Sequence, residues 1–457
     1  MEKSSGSTSS VVFYNNSTGE KIQDVTTGAT KVFLNLDEEK QDKTALYTKT
    51  RMFENICTYS MSFILSFIIG YSFTSYLLIA DHGLRDYSQG FFEESHNFFK
   101  NLCPAVLYFG STVGTFSMLM IKRYSHLIVT QLTAIIFFIG YLLQMVYPHV
   151  LVIFLARFLI GLASGIACMI IPQILYFSCK ENIRGLFTSF FPFFIMVGLT
   201  TAVALMPLVT NQIYNFFNLI PILLSILSLA CSLGSFKLLE VKKEKAFIEV
   251  TKFMFSSTAL KSTVSVVLAH VFQKTTGVDF IGNFSGSLFT GDNAQIKSLS
   301  PLLTAGIVNL ATGLLPDLFG RKLPIIVNLC LIFLVTLSMG IWGTNVVSLI
   351  LFTIVYNGGL GAVPYYYQNE TVPSKYIPDI NEIATFSNVL LALFVAIYAA
   401  FLLSPTNTTI WYTFSGLSLL GAFIMGITMP ETKGTPVEKR DFIKNWFNFS
   451  FKNKNLK

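Results

Sequence analysis

Apolar runs of about twenty residues, the length an α-helix needs to cross a hydrocarbon core ~30 Å thick, recur from one end of this chain to the other. Runs such as 215–236 and 324–342 do not alternate, so the spanning elements are helices and not the short alternating strands of a barrel. Lipid offers the backbone no hydrogen-bond partner, and a helix satisfies its own N–H and C=O groups. Only 12% of the residues are charged and 52% are hydrophobic, against about 25% charged in a soluble domain. The expected fold is an all-α polytopic membrane protein of twelve transmembrane helices. They are read near 54–80, 102–121, 127–147, 150–176, 186–208, 213–236, 263–290, 299–316, 324–343, 346–370, 382–404 and 411–429.

Charge orients these spans. With a cytosolic N-terminus, the outer loops hold only Arg85, Lys100 and Lys297, and the spans hold Arg157 and Lys274. The rest of the 32 Lys and Arg residues then face the cytosol, which is the positive-inside arrangement and, with an even number of spans, puts the C-terminus inside too. Residues 1–52 are polar and lack an apolar core beside Met1, so they are read as a flexible cytosolic tail and not as a cleavable signal. A six-helix bundle is expected over 53–236, a short basic cytosolic linker over 237–262, a second six-helix bundle over 263–430 and a cytosolic tail over 431–457. Gly161, Gly165 and Pro172 on the fourth span echo Gly359, Gly361 and Pro364 on the tenth, and Lys122-Arg123 echoes Arg321-Lys322.

The six cysteines are scattered through apolar runs with no metal or disulfide spacing. No nucleophile triad, phosphate loop or metal cluster is legible. The expectation is therefore neither an enzyme nor an ATP-driven pump, with no cofactor and no nucleic-acid partner. A small-molecule solute and the lipid bilayer are the expected partners.

Four stretches carry more information. Arg157-Phe158-Leu159-Ile160-Gly161 is followed by Gly165, Pro172 and Arg184-Gly185; Asp317-Leu318-Phe319-Gly320-Arg321-Lys322 follows the eighth span. Gly359-x-Gly361-x-x-Pro364 leads to Glu370 and then Phe386-Ser387-Asn388, and Pro430-Glu431-Thr432-Lys433-Gly434 follows the last span. In this order they resemble the sugar porters of the major facilitator superfamily. The resemblance implies two bundles rocking about a midplane site, a monomer, and the cell membrane as location. It also implies an inner gate in which Glu370 pairs with Arg321, beside Asp317, Lys322 and Arg184. The chain departs from the family in its first half. The Asp expected after the second helix is absent, Phe177 stands where a Glu is expected, and the P-E-S-P-R-like segment is missing. The gate implied is asymmetric and latched mainly by the second half.

The family's sugar-binding segment on the seventh span, F-Q-Q-x-x-G-x-N, reads here Phe272-Gln273-Lys274-Thr275-Thr276-Gly277-Val278-Asp279. Gln273 and Gly277 match, whereas Lys274 and Asp279 replace an amide each. On a straight helix these two lie about 140° apart, unless Gly277 breaks it. Three readings stay open: a structural ion pair, direct contact with solute hydroxyls, or recognition of a charged solute. Asn357, Tyr365 and Asn388 complete the implied pocket, with Asn309 as a further candidate. Pro192 replaces a family Gln on the fifth span, and His270 is read as a packed or hydrated histidine. Ser72 stands where proton-coupled members carry the Asp that partners Arg157, so facilitated diffusion of a hexose or similar polyhydroxylated solute is expected. The alternatives are proton symport through Asp279, a carrier of a charged solute, and a transporter-like nutrient sensor.

Overall fold

The computed structural model describes residues 52–76, 96–121, 124–146, 149–179, 184–208, 214–235, 242–243, 260–284, 294–312, 320–361, 363–371, 377–402 and 408–432. Helix α1 covers Met52–Thr74. It is followed by α2 (His96–Met120), α3 (His126–Val146), α4 (Val150–Ser178), α5 (Arg184–Leu205) and α6 (Leu219–Leu233). The later helices are α7 (Leu260–Thr275), α8 (Val278–Phe284), α9 (Ala294–Thr312), α10 (Lys322–Trp342), α11 (Val346–Asn357), α12 (Val363–Glu370), α13 (Ile377–Leu402) and α14 (Thr409–Thr428). Among the described residues, 8 helices are long and apolar enough to cross a membrane, and α5, α9 and α11 carry shorter apolar stretches. The seventh span, α7 with α8, completes the twelve expected. A two-residue bridge, β1 (Tyr124–Ser125) antiparallel to β2 (Lys242–Lys243), ties the linker to the turn before α3.

Two apolar cores form from separate stretches of chain. One gathers buried residues from Met61 to Ile222, among them Leu65, Phe137 and Ile160; the other runs from Val266 to Met429, around Phe280, Ile325, Phe352 and Phe414. Smaller clusters join the two: Ala105 and Tyr108 of α2 with Ala392 and Ala396 of α13, and Leu199 and Val203 of α5 with Leu302 of α9. The outward faces carry Leu151, Ile307, Trp342 and Phe423, side chains suited to lipid. Buried hydroxyls are disposed of within each helix. Ser62, Ser66, Thr115, Thr130 and Thr336 all donate to the carbonyl four residues back, so a polar side chain needs no partner on another helix.

Helices α2 and α4 cross in close contact. Gly110 and Gly114 lie against the backbone of Phe158 and Leu162 there, and a methyl group on Gly161 or Gly165 would lie 2.0 or 2.1 Å from the Leu107 or Ser111 carbonyl oxygen. Small residues four apart let two helix backbones touch, and the Ser111 hydroxyl donates across the seam to the Gly161 carbonyl at 2.9 Å. The Gly161/Gly165 pattern is thus used for packing. The obstacle to a larger residue is backbone, which a rotamer change cannot relieve. Gly165→Leu is expected to destabilise the protein by about 3 kcal/mol or more, read as a lowered thermal midpoint and a loss of monodisperse protein in detergent, whereas Gly416→Leu, in open space, leaves both unchanged.

Candidate functional site

Two spans are broken where they face each other. The seventh turns at Thr276 and Gly277, with Gly277 at φ +89°, a left-handed conformation that glycine adopts without the Cβ clash other residues meet. The tenth stops at Asn357, passes through the turn Gly358–Gly361 and restarts at Val363. A break strands backbone carbonyls that an intact helix would pair. Gln273 answers one of them: its Nε2 donates to the Leu360 carbonyl at 2.7 Å. Its Oε1 accepts from Asn388 Nδ2 at 2.8 Å. The Asn388 amide also reaches His270 Nδ1 at 3.3 Å, and His270 Nε2 lies 2.8 Å from Gln368 Oε1. With Nδ1 accepting, Nε2–H is the donor to Gln368. His270 is therefore a fixed member of a polar chain linking α7, α12 and α13.

Beside this chain lies a cavity of about 140 Å³. Tyr108, Ser164, Cys168 and Pro192 line it from the first six helices. Gln273, Lys274, Asp279, Asn357, Tyr365 and Asn388 line it from the later ones, so six residues named from the sequence share one space. Lys274 Nζ sits 2.8 Å from Asp279 Oδ1. The Gly277 turn removes the angular mismatch that a straight helix would impose, and the ion pair forms while both residues still line the cavity. Asn357 donates within its own helix to the Thr353 carbonyl at 2.9 Å. Tyr365 packs edge-on against His270 and Phe191, with ring centroids 5.2 and 6.2 Å apart. Tyr367, by contrast, is buried with its hydroxyl on Ser265. Asn309 lies four residues beyond Ala305, a cavity-lining residue of α9; its side chain is outside the described residues.

Asn283, unforeseen from the sequence, adds a polar edge. It lies one helical turn after Asp279 on α8, and its Nδ2 donates to the Tyr108 hydroxyl at 3.0 Å and to the Asp279 carbonyl at 2.7 Å. The Tyr76 hydroxyl donates to its backbone carbonyl at 3.1 Å. Among the described residues, Asn283 Oδ1 is buried without a hydrogen-bond partner. An amide one turn after a polar cavity residue was the signal available for it.

Arg157 lies apart from the cavity. It is fully buried, donating to the Ser72 carbonyl at 2.7 Å and to the Ser75 hydroxyl at 3.2 Å, with its guanidinium 5.5 Å from the Tyr76 ring centre. Among the described residues it meets no carboxylate.

A second polar cluster closes the end of the later helices where Arg321 begins α10. Arg321 holds Glu370 with two parallel bonds, Nε to Oε2 at 2.9 Å and Nη2 to Oε1 at 2.6 Å. Glu431, after α14, accepts the backbone N–H groups of Arg321, Lys322 and Thr432 at 2.9 to 3.1 Å. The Thr432 hydroxyl donates to Glu370 Oε2 at 2.6 Å. A carboxylate over the first N–H groups of a helix is favoured by both hydrogen bonding and the helix dipole. Glu431 and Thr432 were visible in the sequence only as parts of a signature, not as partners of Arg321 and Glu370. Asp317, Lys122 and Arg123 lie outside the described residues, as does the side chain of Arg184. At the corresponding end of the first six helices the described contacts are neutral: His126 with Gln173 at 3.0 Å, and the Tyr59 hydroxyl on the Ser178 carbonyl at 3.0 Å.

A helical membrane fold in two groups of spans, with a polar cavity between them and broken helices at its wall, is that of a multi-pass carrier. The chain belongs to the sugar (and other) transporter family, whose model matches residues 57–242 and 235–442; it is accordingly a membrane carrier protein and not an enzyme. It is 23% identical over 363 residues to the sugar transporter ERD6-like 15 of Arabidopsis thaliana, covering 67% of this chain and 75% of that one. It is 22% identical over 187 residues to the facilitated trehalose transporter Tret1 of Polypedilum vanderplanki, the match spanning 37% of each chain. Among solved structures, the proton:xylose symporter XylE bound to 6-bromo-6-deoxy-D-glucose superposes with a TM-score of 0.67 at 16% identity, covering 86% of this chain and 99% of that one. A peptide transporter, POT in complex with sulfate, gives 0.59 at 12% identity, covering 80% of this chain and 93% of that one. These structural likenesses establish the fold and leave the solute open.

The Arg321 clamp is open to measurement. A double-mutant cycle of Arg321→Gln and Glu370→Gln is expected to give a coupling of about 1–3 kcal/mol in thermal unfolding in detergent. Glu431→Ala, which strands several N–H groups at once, is expected to cost about as much as either single change.

Proposed function

We propose that the protein carries a hexose or similar small polyhydroxylated solute across the cell membrane by alternating access and facilitated diffusion. The observation that carries this reading is the cavity lined from both groups of helices by aromatic rings and from the later helices by neutral amides, among them Gln273, Asn357 and Asn388. Amide groups both donate and accept hydrogen bonds, which is what hydroxyl-rich solutes require. Relatives named as sugar and trehalose transporters support it. Lys274 and Asp279 are directed at each other, which favours a neutral solute over a charged one. Arg157 faces Ser72 and Ser75 where coupling would need a titrating carboxylate, and this favours a passive carrier. In this reading the bundles of 53–236 and 263–430 rock about the cavity, with the linker and both termini in the cytosol. The clamp of Arg321, Lys322 and Glu370, with Asp317 and Arg184 nearby in sequence logic, lies at the inner face.

The test is radiolabelled glucose uptake by proteoliposomes with and without a pH gradient. Uptake is expected to saturate, to be competed by other hexoses and to ignore the gradient. Gln273→Ala is expected to lower it about tenfold or more, because the Leu360 carbonyl and Asn388 lose their partner together. Gradient-driven accumulation that vanishes in Asp279→Asn would replace facilitation with symport, and a complete lack of hexose uptake or competition would remove the sugar assignment.

A further inference from the structure

Resting on that reading, we propose that His270 is a positioning residue of the solute site: fixed as its Nε2–H tautomer, it sets which atom Asn388 presents to the cavity. His270 is fully buried and stands behind two cavity residues, meeting Asn388 through Nδ1 at 3.3 Å and Tyr365 ring to ring. Amide and imidazole orientations are ordinarily interchangeable, but here a backbone carbonyl decides them in turn. The Leu360 carbonyl can only accept, so Gln273 turns its nitrogen to it and its oxygen to Asn388. Asn388 must then turn its nitrogen to Gln273 at 2.8 Å, and the second N–H of that nitrogen meets His270 Nδ1. An accepting Nδ1 carries no proton, which puts the proton on Nε2, and Nε2–H donates to Gln368 Oε1 at 2.8 Å. The Gln273 side chain also lies within reach of the ring. A proton on Nδ1 could turn to it, but would also set N–H against N–H at Asn388.

The chain thus runs one way, from the carbonyl to Gln368, and its consequence falls on Asn388. Both N–H groups of Asn388 are committed, and its oxygen is the polar atom it has left for a solute. Gln273 alone would commit one N–H and leave the other to compete for that role. His270 commits the second. The ring thereby acts on the solute without touching it, through an amide on another span. Its other nitrogen holds Gln368 of α12, so α13 and the restarted half of the tenth span are registered against one ring.

Two readouts test this on the full chain in proteoliposomes. Solid-state NMR of isotopically labelled histidine reads the tautomer directly, the His270 signal being the one lost in His270→Gln. A neutral ring protonated on Nε2 alone is expected. An Nδ1–H ring, a mixture of tautomers or an imidazolium at neutral pH would overturn the proposal and leave the carrier reading intact. Glucose uptake reads the consequence. His270→Phe keeps a ring against Tyr365 but removes both hydrogen bonds, and is expected to raise KM about tenfold with kcat within about twofold. His270→Gln, whose amide can accept from Asn388 and donate to Gln368, is expected to recover KM to within about threefold. An unchanged KM in His270→Phe, or a loss confined to kcat, would overturn positioning, as would a Gln variant no better than the Phe variant. Wild-type proteoliposomes that take up no glucose would overturn the carrier reading itself, and positioning with it, whatever tautomer the ring holds.

Discussion

Everything at the cavity depends on how the stranded carbonyls of a broken helix are satisfied inside a membrane. An unpaired carbonyl in a dry interior is unfavourable by roughly 2 kcal/mol or more. Gln273 relieves it by placing its amide on the Leu360 carbonyl. One side chain from the broken seventh span thereby sustains the break in the tenth. The same amide uses its oxygen to hold Asn388, which in turn reaches His270. The positions of three helices around the cavity follow from this single chain of partners, so Gln273 has a structural duty whether or not solute touches it.

The Lys274–Asp279 pair obeys a related constraint. Two opposite charges this deep are tolerable because they meet, and removing one would leave the other uncompensated at a penalty of about 3–5 kcal/mol. They meet only because Gly277 turns the chain between them. Replacing the family's amide pair by a charge pair keeps the site neutral while changing what it presents. One carboxylate oxygen is consumed by the lysine.

How much of this was legible depended on whether the physics was local. The spans could be read because lipid leaves a helix little alternative, and Arg321 with Glu370 could be read because the family resemblance implied their pairing. The breaks were harder. Gly359 and Gly361 permit either close helix approach or a local unwinding, and hydropathy does not decide between the two. The Gly277 break was recognised only as what would be needed to join Lys274 to Asp279. Contacts between residues far apart in sequence were out of reach: Glu431 over the start of α10, His270 between Gln368 and Asn388, and Asn283 against Tyr108. Nothing in a single sequence pairs those positions, since each is a product of how helices pack.

That packing separates two kinds of interaction. Charge-assisted bonds such as Lys274 to Asp279 and Arg321 to Glu370, with Glu431 alongside, join residues of the later helices to one another, and Arg157 on the Ser72 carbonyl joins residues of the first six. Between the two groups of helices, the hydrogen bonds of Tyr76 and Tyr108 with Asn283 are neutral, and Phe116 with Phe386 and Phe191 with Tyr365 are aromatic contacts. A neutral hydrogen bond contributes about 0.5–1.5 kcal/mol, and bonds to charged groups about twice that. The later helices are thus held to each other by interactions that are expensive to break, and to the first six by ones that can be exchanged. A carrier that moves one body against another requires that ordering of strengths: rigid within each part, yielding between them.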